Sequence, residues 1–176
     1  MQKLAVVYFL NINSDEIENF RKRYDPSWNI IPLHITIVSP IPNISEIKFI
    51  DHIESITTQV EPFPIHLTGL TKSFDHYLFL QIKEGNEKII KLHEHLYTGI
   101  LNTYLETEIP FAPHITLGYF GTKDGNLDNE KYNRALSEAE KLHLDLTCNF
   151  DSVTLIKGDG VSPAVNIKKF LLNKLA

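Results

Sequence analysis

The 176-residue sequence is poor in the features that several protein classes depend on. Its single cysteine, Cys148, cannot form an internal disulfide or a cysteine metal framework, so a reducing, cytoplasmic location is expected. No apolar run approaches the roughly 18 residues of a membrane span, so no membrane partner is expected. Positive charge is also scarce. The net charge is −5, whereas proteins that bind long nucleic-acid backbones, such as a DNA duplex, present a positive surface.

Motifs of other enzyme classes are absent as well. The chain has no GxSxG, Gly-rich phosphate loop or HExxH, so serine hydrolase, P-loop and zinc-protease functions have no support. His93 and His95 lie two residues apart on a predicted helix, where they form a poor metal pair, and we predict that they are exposed. Two short basic runs, Arg21-Lys22-Arg23 and Lys168-Lys169, are typical of a solvated surface.

One tripeptide, His-Ile-Thr, occurs twice. The first motif is His34-Ile35-Thr36 in IPLHITIVSP, and the second motif is His114-Ile115-Thr116 in FAPHITLGYF. Each copy follows a proline and continues into an aliphatic run, which predicts a β-strand. Because alternate side chains of a strand share a face, each histidine lies beside its own threonine. Two such strands placed side by side would present two imidazoles and two hydroxyls to one cleft.

The rest of the pattern favours an α+β fold with antiparallel sheet, in the order β-α-β-α-β-β-α-β-α-β-β. Apolar runs predict strands at 3–10, 33–38, 63–70, 76–82, 113–120 and 165–171, with a strand-rich stretch at 142–156 and a turn at 39–43. Helices are predicted from a capping arrangement of Asn13 and Glu16 to the residue before Pro26, and at 44–60, 86–104 and 128–141. The predicted inward stripes of the first three helices are Ile17, Phe20 and Tyr24; Ile47, Ile50, Ile53 and Ile56; and Ile89, Leu92, Leu96 and Ile100.

Two histidines that face one pocket suit in-line attack on a phosphodiester. With reference pKa values near 6.5, the two imidazoles can hold opposite protonation states near neutral pH. One would take a proton from water or a ribose hydroxyl, and the other would give one to the leaving oxygen. The threonine hydroxyls would donate hydrogen bonds to the non-bridging oxygens. A single histidine of this kind is usually a buried residue bonded to the backbone, but the matched threonines favour the catalytic interpretation.

The paired His-x-Thr motifs, with FPIHLTGLTKSFDHYLFLQI and KLHEHLYTGIL between them, resemble the two-histidine (2H) phosphoesterase superfamily. Its members include bacterial 2′-5′ RNA ligase and cyclic phosphodiesterase enzymes. More narrowly, FRKRYDPSWNIIPLHIT, LYTGIL and FAPHITLG resemble a small bacterial branch of phosphoesterases with poorly defined substrates. The resemblance implies a single bilobal domain over residues 1–176, with two pseudo-twofold-related lobes, antiparallel sheets lining a central metal-free cleft, and helices outside. It also implies a catalytic set of His34, Thr36, His114 and Thr116.

One departure from the family pattern concerns the substrate. Many 2′-5′ RNA ligase-like members have the form HxTLxR at the second motif, whereas Tyr119 stands at the arginine position here. Lys72 or Arg23 could supply the charge instead. Phe111 and Tyr119 flank the second motif, where an aromatic ring either stacks on a nucleobase or packs in the core.

These observations together predict a monomeric phosphoesterase that needs neither metal nor cofactor. The expected substrate is a small nucleotide or RNA-end phosphodiester, with a 2′,3′-cyclic phosphate or a 2′-5′ linkage. The alternative from another class is a module that holds a nucleotide or phosphate in the same cleft without turnover.

Overall fold

The structure is a computed structural model that describes residues 1–12 and 15–173. Its elements, in chain order, are β1 Lys3–Phe9, α1 Asp15–Tyr24, β2 His34–Pro42, α2 Glu46–Thr57, β3 Phe63–Lys72, β4 Tyr77–Glu84, α3 Asn86–Leu96, a 3₁₀ helix Gly99–Tyr104, β5 His114–Tyr119, α4 Asn129–Lys141, β6 Asp145–Phe150, β7 Ser152–Gly158 and β8 Val165–Leu171. The predicted α+β fold is confirmed. Asn13, the residue predicted to cap the first helix, lies outside the described residues.

The strands form one curled antiparallel sheet in the order β6-β3-β4-β5-β2-β1-β7-β8. We call β2-β1-β7-β8 the first half-sheet and β5-β4-β3-β6 the second half-sheet. They meet where Ile35 of β2 pairs with Ile115 of β5. The two motif strands are therefore the innermost strands of their half-sheets, and they are neighbours.

The two faces of the sheet differ. The helices share one apolar core with one face, where Ile35 and Ile115 have 0% exposure. Side chains alternate along a strand, so the histidines and threonines of both motifs point to the other face, which we call the open face. The sheet thus separates the core from the motif side chains. None of the helices in the described part of the chain combines the length and apolar character needed to cross a membrane.

Helix α1 follows its prediction. Its buried residues include Ile17, Phe20 and Tyr24, the expected stripe. It ends at Tyr24 because Pro26 disfavours helical geometry in the residue before it and cannot donate a hydrogen bond.

Helix α2 departs from its prediction at Ile47, whereas Ile50, Ile53 and Ile56 pack against the core as predicted. Ile47 is 74% exposed, whereas Phe49 and Ile53 are fully buried. At 3.6 residues per turn, each step of three residues falls about 60° short of a full turn, so Ile47 and Ile56 lie on opposite sides of the helix. A spacing of four, from Phe49 through Ile53 to Thr57, stays on one side and forms the buried face.

The predicted helix at 86–104 is divided in two. Helix α3 ends at Leu96, and the 3₁₀ helix begins at Gly99, which has φ +53°. The break changes which residues face the core. Leu101 is fully buried, while Ile100, a predicted core residue, is 40% exposed.

Two strand predictions are corrected by the sheet pairing. Residues 39–43, predicted as a turn, continue β2 as far as Pro42. Prolines are tolerated there because β2 pairs with β5 only at Ile35, so the strand has an open edge further along.

The stretch 142–156 holds two strands rather than one. They belong to different half-sheets, since β6 pairs with β3 and β7 pairs with β1.

Candidate active site

The pairing of β2 with β5 brings the two motifs together on the open face. Because Ile35 lies opposite Ile115 in antiparallel strands, the histidine of each motif lies opposite the threonine of the other. All four side chains are half-buried. We call these residues the motif cluster: His34, Thr36, His114 and Thr116.

The backbone holds both imidazoles in the same tautomer. Nδ1 of His34 lies 2.8 Å from the carbonyl oxygen of Pro32, and Nδ1 of His114 lies 2.7 Å from the carbonyl oxygen of Ala112. A carbonyl oxygen only accepts hydrogen bonds, so each Nδ1 carries the hydrogen that it donates. In the neutral ring Nε2 is therefore unprotonated. Both histidines can take a proton at Nε2 and, once charged, give it back.

An aromatic ring lies beside each imidazole. Phe79 of β4 stacks on His114, with ring centroids 3.6 Å apart and an interplanar angle of 22°. Phe9, at the end of β1, meets the ring of His34 edge-on at 6.4 Å. Aromatic contacts contribute about 0.5–1.5 kcal/mol beyond area burial. Sequence reasoning missed both phenylalanines, because their role depends on which strands are neighbours.

Burial lowers the pKa of both histidines. It lowers the pKa of His34 to about 4, although the hydrogen bond to Pro32 opposes this shift. It also lowers the pKa of His114, against the opposing hydrogen bond to Ala112. Both rings are therefore neutral near pH 7. A phosphate bound beside them would raise both pKa values, because a negative charge favours the protonated form.

A buried ion pair supports the backbone before His34. Arg21 and Asp25 are 1% and 7% exposed, and Nη2 of Arg21 lies 2.8 Å from Oδ2 of Asp25 and 3.0 Å from the carbonyl oxygen of Ile31. The next residue is Pro32, which accepts the hydrogen bond of His34. The prediction of a solvated basic run is therefore wrong for Arg21. The available signal was the spacing of four residues between opposite charges on a helix.

Tyr119 belongs to a row of aromatic rings on the open face. It lies opposite Tyr77, with ring centroids 4.7 Å apart. Tyr77 in turn stacks on Phe79 at 5.8 Å, and Phe79 covers His114. The structure therefore places Tyr119 two aromatic rings away from the motif cluster. Its role in substrate binding stays a prediction.

Phe111 lies on the core side, away from the motif cluster. Its ring stacks on His93, with centroids 3.7 Å apart, and packs against the core. His93, predicted to be exposed, is buried, and its Nδ1 lies 2.8 Å from the carbonyl oxygen of Ile37. The pair packs helix α3 against β2.

The two predicted substrate-binding cations also lie elsewhere. Lys72 lies opposite the buried Leu78, on the helix-covered face, and its Nζ is 5.9 Å from the centre of the Tyr132 ring. Arg23 forms an ion pair of 2.7 Å with Glu138 of α4. The structure thus brings together the four motif residues but not these two cations.

No group of three His, Cys, Asp or Glu side chains within residues 1–12 and 15–173 is placed to hold a metal ion. Independence of a metal stays a prediction.

Comparison with known proteins identifies relatives along most of the chain. Residues 11–162 match the 2′-5′ RNA ligase superfamily. A Bacillus licheniformis protein named Putative phosphoesterase is 27% identical over 132 residues, which cover 72% of this chain and 76% of that protein. A Bacillus cereus protein of the same name is 30% identical over 122 residues, which cover 66% of this chain and 69% of that protein.

Solved structures show a similar fold over nearly the whole chain. Escherichia coli LigT in complex with 3′-AMP has a TM-score of 0.59 and 15% identity, covering 98% of this chain and 99% of that chain. A structure described as a phosphoesterase has the same TM-score of 0.59, the same 15% identity and the same 98% and 99% coverage. LigT has also been solved with NADP+, ATP and phosphate. At this level of identity the likeness is one of fold.

Proposed function

Because the chain belongs to the 2′-5′ RNA ligase superfamily, we propose that it is a phosphoesterase that cleaves a phosphodiester of nucleotide origin. The substrate is a 2′,3′-cyclic phosphate or a 2′-5′ linkage, and no metal or cofactor takes part. One observation carries the proposal: the register of Ile35 with Ile115 sets the histidine of each motif opposite the threonine of the other. A phosphate bound over this pair can contact both imidazoles and both hydroxyls.

In the proposed reaction His34 is the general base and His114 is the general acid. Nε2 of His34 takes a proton from water as the water oxygen bonds to phosphorus. The bond from phosphorus to the ribose oxygen breaks, and protonated His114 gives its Nε2 proton to that oxygen. Exchange with water then returns His34 to the neutral form and His114 to the charged form.

The lowered pKa of His34 supports its role as the base. A base must be neutral when the substrate arrives, and the pKa of His34, lowered to about 4 by burial, keeps it neutral at pH 5 and above. An acid must be protonated, and the charge of the bound phosphate raises the pKa of His114, which opposes the effect of burial. Thr36 and Thr116 donate hydrogen bonds to the non-bridging oxygens, where negative charge increases in the transition state.

The second candidate function is nucleotide binding without turnover. It would use the same cleft, and Tyr119 in place of a cation favours a small ligand over RNA in either function. The intact pair of motifs favours catalysis.

Incubation with 2′,3′-cyclic nucleotides in the presence of EDTA, from about pH 5 to 8, separates the two functions. The phosphoesterase is expected to release a 2′- or 3′-monophosphate. Tight nucleotide binding with no product at any pH would favour the binding module. Activity that EDTA abolishes and a divalent ion restores would contradict a metal-independent reaction.

We also propose that residues 1–176 act as one bilobal domain, as a monomer in the cytoplasm. Light scattering coupled to size exclusion tests the monomer, because the mass of one chain is 20.2 kDa.

A further inference from the structure

A polar cavity lies on the open face of the first half-sheet, beside the motif cluster. It has a volume of about 220 Å³, and it is lined by Phe9, Ser152, Thr154, Asn166, Ile167, Lys168 and Lys169. One water molecule takes up about 30 Å³ in the liquid, so the cavity can hold a considerably larger group. Phe9 links the two places, because it lines the cavity and its ring meets the ring of His34 edge-on.

The strand register aligns this cavity with the motif cluster. Thr36 of β2 lies opposite Val7 of β1. Val7 in turn lies opposite Thr154 of β7, which lies opposite Lys169 of β8. Paired residues share a face of the sheet, so these four side chains form one row on the open face. Neighbouring strands are about 4.8 Å apart, which puts Thr154 roughly 10 Å from Thr36.

The two neighbouring lysines of β8 point to opposite faces. Lys168 is on the helix-covered face, where its Nζ lies 2.8 Å from Oε2 of Glu54 and 5.0 Å from the centre of the Phe170 ring. Lys169 is on the open face, and it forms no salt bridge within residues 1–12 and 15–173. The charge of Lys168 is therefore already paired, whereas the ammonium group of Lys169 is available to an anion.

The cavity also offers a hydroxyl. Thr154 is only 6% exposed, and its side chain makes no hydrogen bond in the described part of the chain. The hydroxyl oxygen is accessible from the cavity, so a ligand bound there can form a hydrogen bond with it. A hydroxyl beside a lysine ammonium suits a phosphate, which accepts hydrogen bonds and carries negative charge.

We propose that this cavity binds a second phosphate group of the substrate, held by Lys169 and Thr154, while the motif cluster acts on the first. The inference rests on the proposed function for the identity of the first phosphate. The second is either the 5′-phosphate of a nucleotide or the next internucleotide linkage of a short RNA end. Lys169 would thus supply a positive charge for the substrate, which Tyr119 cannot supply.

Binding of two nucleotides tests the cavity without any need for turnover. Adenosine 3′,5′-bisphosphate is expected to bind the wild-type protein about tenfold more tightly than 3′-AMP, as measured by calorimetry, because of one additional charge-assisted contact. Lys169→Ala is expected to bring this ratio close to one and to leave the affinity for 3′-AMP unchanged. Thr154→Val, which keeps the shape of the side chain, is expected to reduce the ratio as well.

Lys168→Ala is the matched control: Lys168 also borders the cavity, but its ammonium group is paired with Glu54 on the helix-covered face. The variant is expected to keep the wild-type ratio. A wild-type ratio close to one, a ratio that survives Lys169→Ala, or an equal loss in both lysine variants would overturn the proposal.

Turnover then identifies the source of the second phosphate. The wild-type kcat/KM is compared for 2′,3′-cyclic AMP, for the same nucleotide with a 5′-phosphate, and for a cyclic-ended dinucleotide without one. A gain of about tenfold that Lys169→Ala removes, seen with only one of the two larger substrates, assigns the cavity to that phosphate. No gain with either overturns the role in substrate recognition. If none of the substrates is cleaved but the bisphosphate preference depends on Lys169, the proposed function fails and the phosphate site stands.

Discussion

Ile35 of β2 lies opposite Ile115 of β5, and both side chains are fully buried beneath the motif cluster. A slip of one residue in either strand would send its histidine and threonine into the core and its isoleucine to the open face. Burial of the two isoleucines therefore fixes the face on which the cluster forms. The stability of the central pair and the geometry of the site depend on the same two residues.

Truncation of this pair is expected to destabilise the protein strongly. Ile115→Ala removes a fully buried side chain and should lower the free energy of unfolding by about 2–5 kcal/mol. Ile47→Ala is the matched control, because Ile47 is 74% exposed and should change it by less than about 0.5 kcal/mol. Urea denaturation measures both. Similar values for the two variants would contradict the central position of Ile115.

Loss of the buried cation next to the first motif is expected to be equally harmful. Arg21→Met leaves Asp25 buried without its partner and should cost about 3–5 kcal/mol of unfolding free energy. Arg134→Met removes a cation from an exposed helical pair with Glu130 and should cost at most about 1 kcal/mol.

A second substitution separates the lost charge pair from lost packing. Arg21→Met combined with Asp25→Leu leaves no unpaired charge, so it should recover much of the stability. A double variant as unstable as Arg21→Met alone would mean that the ion pair is not the cause.

The pH dependence of stability follows from the lowered pKa of His34. Burial lowers this pKa from 6.5 to about 4 in the folded protein, so between these values the unfolded chain binds more protons than the folded one. The stabilisation is complete above pH 6.5 and is lost as the pH falls through the folded pKa of about 4. NMR titration of the imidazole should show this pKa directly, and inorganic phosphate should raise it. A pKa near 6.5 that phosphate does not change would contradict the assignment.

The two histidines should respond differently to the leaving group. A p-nitrophenyl phosphodiester releases a phenolate that is stable without a proton, so it needs no general acid. His114→Ala should therefore lose much less activity on this ester than on a cyclic nucleotide, whereas His34→Ala should lose activity on both. The reverse pattern would exchange the roles of base and acid.

The local sequence pattern was sufficient to predict the two motif strands and the fold class. Alternation along a strand explains why histidine and threonine are two residues apart, and the interleaved order of helices and strands predicts an α+β fold. Sequence did not predict that β6 and β7 belong to different half-sheets, because strand pairing depends on distant residues. For the same reason it could not show which of the two lysines of β8 lies on which face of the sheet. Lys168 lies on the helix-covered face, and Lys169 lies on the open face.

Errors within the helices have a geometric cause. The isoleucines of α2 recur every three residues, a spacing that drifts around the helix, so Ile47 and Ile56 could not both face the core. The charged neighbours Lys22 and Arg23 predict that Arg21 is a surface residue. Its burial depends on Asp25 and on the loop carbonyl of Ile31, a contact that only the folded chain provides.

The central claim is that both histidines belong to one active site. The most direct test is the rate of 2′,3′-cyclic nucleotide hydrolysis by His34→Ala, His114→Ala and the double variant, with the exposed His95→Ala as control. Each single variant should lose about 10²- to 10⁴-fold in kcat, and the double variant should lose little more, because groups that act as a unit are not additive. Full activity in His95→Ala shows that the loss is specific. Wild-type turnover in either single variant, with the fold intact, would contradict the claim.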